Sequence, residues 1–423
     1  MKKYKLSFSY FIIVFCSVFM FHSYVKADFE DVVVNLQINN PMMEVNGLVS
    51  EVDTGRRTTP VIINGRTLVP IRAIVESFGG SVSWDGAKRA VSLSVDNKTI
   101  VLAIDSYTAY LNGKEYTLDV APAIINGRTM LPIRFVAEGL NLGVAWDAQS
   151  QRVTVIRNKL DSEEYNYLSS VIPQYSGYSY VTVNNNVPLF KNYEIIPGAF
   201  EYYSETDELG RCDVCMASVD ASLMPTDSRE SISSITPTGW INGTYDFIDG
   251  KYLYNRCHLI GYQLTGENAN KSNLITGTRY MNVEGMLPFE NMVDNYIEQT
   301  GNSVMYRVTP FFRDNNMVAE GVLLEAYSVE DSGRGISFCV YCYNVQPGVL
   351  IDYKTGNHQS VGLESSTAQT VPASVENQNK SVYRTPSGKR YHYDPECGGK
   401  NSYCIDIETA LSAGLTPCQK CAK

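Results

Sequence analysis

Tyr254-Asn255-Arg256-Cys257-His258-Leu259-Ile260-Gly261 sets a cation two residues before a histidine, between apolar neighbours. If the segment is extended, alternation sends Arg256 and His258 to one face of the strand. A guanidinium beside an imidazole disfavours a second positive charge, so Arg256 is expected to hold His258 neutral, the form a general base requires. On this stretch alone a histidine next to an arginine is more often a surface or core residue than a base.

The downstream sequence adds polar residues at fixed intervals. Asn273 is followed after eight residues by Asn282, and Asn282 after seven by Glu290. With Arg256 and His258, this order resembles the DNA/RNA non-specific endonucleases of the ββα-metal class, whose signature is Asp-Arg-Gly-His followed by Asn-x8-Asn-x7-Glu. The resemblance covers roughly 195–350, and this chain departs from it at Asn255, in place of Asp, and Cys257, in place of Gly. It implies that His258 is the base and that Asn282 anchors one Mg2+, with Mn2+ as a substitute. Glu290 would hold the waters of that ion, and Asn273 would orient the His258 loop or those waters. Arg256 would face the scissile phosphate, with Arg229 and Arg279 as further substrate contacts; Arg229 reads equally as a surface arginine, and Asn273 as a backbone cap.

Histidine usage agrees. The chain has four. His22 falls in an N-terminal leader, His358 in a polar segment read as linker, and His392 in a cysteine-rich tail, which leaves His258 as the imidazole expected in a catalytic domain. Cys257, on the opposite side of the strand, is expected to be buried, unpaired and not a nucleophile. Charge argues the other way. The chain carries −10 at pH 7, whereas sequence-independent binding to nucleic acid normally uses Lys and Arg against phosphate. Substrate binding should therefore be weak and lean on the metal. A surface or matrix adhesion protein that binds DNA without cutting it is the competing reading.

The 423 residues predict several domains, as an α+β multidomain chain. The expected divisions are a secretory signal (1–27), a duplicated module (28–157), a linker (158–190), the nuclease-like domain (191–355), a flexible linker (356–380) and a small Cys/His module (381–423). The signal rests on Lys2, Lys3 and Lys5 before an apolar run from Leu6 to about Phe21, too short for a comfortable bilayer span. A secreted, extracellular or surface-associated protein with no further membrane span follows.

Residues 60–93 and 122–155 align without a gap at an offset of 62. Each reads as a strand, an Asn-Gly turn, a second strand, a helix from Ile71 or Ile133, a Trp-Asp turn and a last strand. The pair resembles the stalk-like N-terminal domain of copper amine oxidases. Residues 28–160 contain neither His nor Cys, which rules out a copper site built from imidazole or thiolate. Trp84 and Trp146 are expected to anchor equivalent cores, with binding aromatics as the alternative, and the module to act as a spacer or as an adhesion element for a cell-wall or surface ligand.

In the nuclease-like part, strands are expected over 211–219, 304–310, 317–327 and 336–345, with a helix over 284–300. Cys212 and Cys215, and Cys339 and Cys342, read as buried thiols or as bridges between the two pairs. In the tail, His392, Cys397, Cys418 and Cys421 have the spacing of two ligand pairs around a short helix at 406–413, and resemble the zinc-binding tails of secreted bacterial hydrolases. Cys404 in place of His392, or two disulfides among the four tail cysteines, are the alternatives.

Overall fold

The computed structural model describes residues 31–158, 162–361 and, with gaps, 381–421. The expected signal peptide, most of the 356–380 linker and most of the 406–413 helix lie outside the described residues.

Both aligned segments of the N-terminal domain carry the same elements. Val61–Ile63 and Arg66–Pro70 form a hairpin followed by helix Ile71–Ser77 and strands Ser81–Asp85 and Ala90–Val95. Ala123–Ile125, Arg128–Pro132, helix Ile133–Gly139, Gly143–Asp147 and Arg152–Arg157 repeat the order. The hairpins turn at Asn64-Gly65 (φ 51° and 74°) and Asn126-Gly127 (φ 54° and 74°). Both central residues have positive φ, the two-residue turn whose twist matches paired strands. The hairpins pair through Arg66–Pro70 and Arg128–Pro132 into one four-stranded sheet, with Val61–Ile63 and Ala123–Ile125 at its edges. Ile71, Ile74, Ile133 and Val136 drop from the two helices into a single core with Val34, Leu93 and Val155.

The tryptophans do not behave alike. Trp146 is half-buried against this core, whereas Trp84 is 45 % exposed. Trp84 sits on the edge strand Ser81–Asp85, a largely exposed strand. Trp146 has the chain at Gly198 laid against its backbone, where a Cβ would stand 2.8 Å from the Trp146 carbonyl oxygen. The expectation of two equivalent core anchors is corrected at Trp84.

Six antiparallel strands form the nuclease-like sheet, in the order Tyr180–Thr182, Ser337–Tyr343, Gly321–Ser328, Val304–Phe311, Cys215–Val219, Phe200–Tyr203. The segment read as a linker thus supplies helix Ser162–Val171 and an edge strand. One sheet face buries Val308, Leu324 and Val340 against Phe289, Val293 and Ile297 of helix Leu287–Thr300. Met216 and Met305, on the other face, join Phe200, Tyr202 and Ile196 to Val33, Ala145 and Ile156 of the N-terminal domain. Beside that apolar contact Arg307 is fully buried, bonded to Glu325 at 2.8 Å and to Glu194 at 3.1 Å, and Glu194 also accepts from Asn158. A buried guanidinium needs both carboxylates, since removing one partner of such a cluster strands a charge in a low dielectric.

Cys212, Cys215, Cys339 and Cys342 are buried free thiols, with Cys339 and Cys342 on opposite sheet faces. His358 is not in a linker. Strand His358–Ser360 pairs with Val349–Ile351, and its imidazole Nδ1 lies 2.6 Å from the Tyr245 hydroxyl and edge-on to Tyr254. Among the described residues no helix is long and apolar enough to cross a membrane.

Candidate active site

Strand Tyr254–His258 pairs with Leu274–Thr278 in an antiparallel ribbon that sets Arg256 opposite Thr276 and His258 opposite Leu274. The chain then turns through a π-helical turn, Met281–Met286, into helix Leu287–Thr300, which ends at Gly301 (φ 70°). Two strands followed by this helix wall an open cavity of about 700 Å³, lined by Arg229, Arg256, His258, Arg279, Asn282 and Glu290. Six residues spread over 62 positions of chain thus share one space.

His258 is 6 % exposed. Its Nε2 is 2.8 Å from the Asn268 carbonyl oxygen and its Nδ1 is 3.0 Å from Nη2 of Arg229. A guanidinium only donates, so Nδ1 accepts and the proton sits on Nε2. Burial, assisted by the Arg229 charge, lowers the imidazole to about 4, against the opposing pull of the Asn268 carbonyl. His258 is therefore neutral, with a basic lone pair on Nδ1.

The charge that touches His258 comes from Arg229, not from Arg256. Arg256 lines the same cavity, but its Nε donates to the Ile235 carbonyl at 2.6 Å, its Nη2 to Ser233 at 3.2 Å, and its guanidinium lies 4.5 Å from the Trp240 ring centre. The expectation that Arg256 suppresses the imidazolium is corrected on both counts. Burial is the first cause and Arg229 the second. Alternation gives the face of a side chain but not the partner that an irregular loop brings to it.

Asn282 is held by the two residues that depart from the Asp-Arg-Gly-His pattern. Its Oδ1 is 3.0 Å from the Cys257 sulfur, and its Nδ2 donates to Asn255 Oδ1 at 3.4 Å. Arg279 donates to the same Asn255 oxygen at 3.4 Å and to Asp249 at 2.8 Å. Cys257 is 1 % exposed and free, and burial pushes its thiol far above the ordinary range. Alkylating reagents should therefore modify Cys257 slowly in the native protein. Rapid labelling with loss of nucleic-acid cleavage, prevented by added DNA, would place the sulfur in the cavity instead.

Asn273 does not line the cavity. It is fully buried, and its amide bridges the Ile260 N–H at 2.8 Å and the Ile260 carbonyl at 3.0 Å, which fixes the chain just after His258. Glu290 does reach the cavity wall. Burial raises its carboxyl to about 8, with Arg229 pulling the other way. It packs under Gly261, where a Cβ would come within 2.8 Å of the carboxyl. The donor set fits a hard divalent cation. Asn282 and Glu290 line one cavity, and a cation would offset the cost of ionising Glu290 there; Mg2+ needs few protein ligands because it keeps most of its waters.

A second cluster lies in the tail. The ligand atoms of His392, Cys397, Cys418 and Cys421 are all within 4.8 Å of one another and could hold a metal ion. Cys421 Sγ is 3.5 Å from His392 Nδ1, and Cys397 Sγ is 3.9 Å from Cys418 Sγ. Tetrahedral zinc with Zn–S of about 2.3 Å sets its sulfurs about 3.8 Å apart, whereas a disulfide needs about 2.05 Å. The alternative ligand Cys404 lies outside the described side chains.

Two segments of the chain match known families. Residues 50–155 match the copper amine oxidase N-terminal domain family and residues 191–330 match the DNA/RNA non-specific endonuclease family. No curated protein matches the chain. Among solved structures, NucA from Streptococcus agalactiae with magnesium ion bound is 24 % identical, over 47 % of this chain and 97 % of its own, at a TM-score of 0.41. Sda1 nuclease with bound zinc ion is 22 % identical, over 43 % of this chain and 96 % of its own, at 0.37. The chain thus combines a domain similar to ββα-metal nucleases with a preceding copper-amine-oxidase-like domain and a C-terminal His/Cys cluster.

Proposed function

We propose that this protein is a secreted, Mg2+-dependent endonuclease that hydrolyses phosphodiester bonds in DNA, RNA or both. The observation that carries the reading is His258, buried as a neutral imidazole with its Nδ1 lone pair on Arg229, both residues lining a cavity with Arg256, Arg279, Asn282 and Glu290. In the reaction, a water oxygen attacks phosphorus while Nδ1 of His258 takes its proton. The bond to O3′ breaks, and O3′ takes a proton from water in the cavity. Nδ1 is capped by Arg229 until substrate arrives. A phosphate oxygen is the better acceptor for that guanidinium, so Arg229 is expected to move to the phosphate and free Nδ1 for water. Arg256 and Arg279 would steady the same anion. Asn282 would hold the cation through Oδ1 and Glu290 would bind its waters; when bound, the ion supplies charge neutralisation on the phosphate oxygens. Asn273 acts from outside the cavity by fixing the His258 loop.

The direct test is the purified chain with duplex DNA, single strands and RNA, with and without Mg2+. Binding without cleavage in every condition would replace the enzyme reading with that of an adhesion protein. Two further outcomes are expected. Asn282→Ala should raise the Mg2+ requirement steeply and lower the rate, and Glu290→Ala should do so less; unchanged Mg2+ titrations in both would put the ion elsewhere. The base must be neutral to work, and its folded value is about 4. The His258-dependent loss of rate should therefore fall near pH 4, well below the ordinary histidine value of about 6.5, and a loss centred near the ordinary value would show a solvated His258. We also infer that the tail cluster binds zinc, and that the N-terminal domain serves as a spacer or surface-adhesion module.

A further inference from the structure

The N-terminal domain carries two clefts built from equivalent positions. The first, about 510 Å³, takes Ile71, Arg72 and Trp84 from one segment and Ile124 and Arg128 from the hairpin of the other. The second, about 670 Å³, takes Ile133, Arg134 and Trp146 from the second segment and Ile62 and Arg66 from the hairpin of the first. Every one of these residues maps onto its counterpart through the offset of 62, so each cleft joins one segment's helix and tryptophan to the other segment's hairpin.

Three features point to a ligand rather than to a relic of packing. First, Trp84, Ile124 and Ile62 are 45 %, 46 % and 44 % exposed, so the walls leave large apolar side chains in water. Second, each hairpin arginine is paired with a carboxylate: Arg128 with Asp53 at 2.7 Å, and Arg66 with Asp119 at 2.8 Å. Asp53 and Asp119 are 66 apart, not 62, so the same ion pair is assembled from positions that the repeat does not relate. Third, the pairs leave little net charge. Arg72 has Glu76 at 3.5 Å, and Glu138 lines the second cleft with Arg134. A polyanion would meet carboxylates here. A neutral ring with one apolar face and a rim of hydroxyls meets an indole, an aliphatic floor at Ile71 or Ile133, and a fork of donors and acceptors.

We propose that the two clefts bind hexopyranose rings of a neutral glycan chain. An N-acetylhexosamine polymer fits best, because its acetamido methyl suits the aliphatic floor and its amide suits the Arg–Asp fork. Two like sites on one domain favour a repeating polymer over a free sugar, since the second engagement is intramolecular. The apolar and polar contacts between this domain and the nuclease-like sheet would hold the catalytic cavity at a glycan-rich surface. The proposal does not rest on cleavage, and its test does not read cleavage.

The test uses the full secreted chain with chitohexaose in solution and insoluble chitin as the polymer. Chitohexaose should bind measurably by calorimetry, and Trp84→Ala should weaken it about tenfold at that cleft, the worth of one aromatic stacking contact. Trp84→Phe should keep most of the affinity, which separates a lost ring from a misfolded domain. Trp84→Ala with Trp146→Ala should abolish retention on chitin while leaving thermal unfolding of the nuclease-like domain in place. Absence of heat with chitohexaose, or equal affinity in parent and Trp84→Ala, overturns the proposal. So does Trp84-dependent binding of an extended decapeptide in place of the sugar, which would assign the clefts to strand addition at the exposed sheet edges.

Discussion

His258→Ala is expected to lower nucleic-acid cleavage ~10²–10⁴-fold, the usual worth of a positioned general base, with binding of DNA retained. The loss is chemical because Nδ1 carries the basic lone pair of the imidazole, and Arg229, Arg256 and Arg279, which line the same cavity, cannot accept a proton from water. Binding survives because those same arginines remain. The substitution does disturb the interior: the Asn268 carbonyl loses its 2.8 Å donor and Arg229 loses its 3.0 Å acceptor. A lost hydrogen bond of this kind costs about 1–3 kcal/mol, so thermal unfolding must be read alongside the rate. His258→Gln is the useful companion. It can donate to the Asn268 carbonyl but cannot act as a base near neutral pH, so it should be as inactive as alanine and more stable. A His258→Ala protein that cuts within about threefold of the parent would remove this residue from the mechanism.

What the sequence made legible follows from what local patterns encode. Asn64-Gly65 and Asn126-Gly127 dictate their hairpins because few other pairs accept two positive φ values, and the strands on either side then follow. The resemblance to the DNA/RNA non-specific endonucleases implied one site for Asn273, Asn282 and Glu290, and the fold brings Asn282 and Glu290 to a single cavity and ties Asn273 to Ile260, just after His258. Three matters were not legible. Tyr180–Thr182 is three residues long, too short for alternation to register, so an edge strand read as linker. Arg229 lies 29 residues before His258 in an irregular segment, and no periodicity links the two. Trp84 and Trp146 share a sequence context, yet Trp146 packs against the core and Trp84 is exposed, and only the Trp146 backbone has Gly198, outside the repeat, against it. The first miss is a strand too short to show a period, and the other two are contacts made by segments without regular structure, where neither period nor turn chemistry carries information.

Removing one thiolate from the tail should have the largest structural consequence in the molecule. The intact chain is expected to carry one zinc ion, and a strong chelator should make residues 381–423 protease-sensitive while the nuclease-like domain keeps its own unfolding transition. Among the described residues of this module a small cluster is buried, Val382, Tyr391, Ala410, Leu415 and Cys418, and a module of about 40 residues seldom folds without a metal or disulfides. Structural zinc contributes ~10–16 kcal/mol to such folds, more than that cluster can replace. Cys418→Ser should therefore abolish zinc binding and unfold the tail. His392→Ala should only weaken binding if another donor takes the fourth position, and should match Cys418→Ser if His392 is indispensable. The competing state is covalent. Sγ atoms of Cys397 and Cys418 at 3.9 Å, with Cys421 beside His392, describe four converging ligands rather than a bonded pair. Intact mass measured under native and denaturing conditions separates the two. One zinc lost on denaturation with all thiols free is the expected result, and a tail two or four hydrogens lighter, with no metal, would assign these cysteines to disulfides.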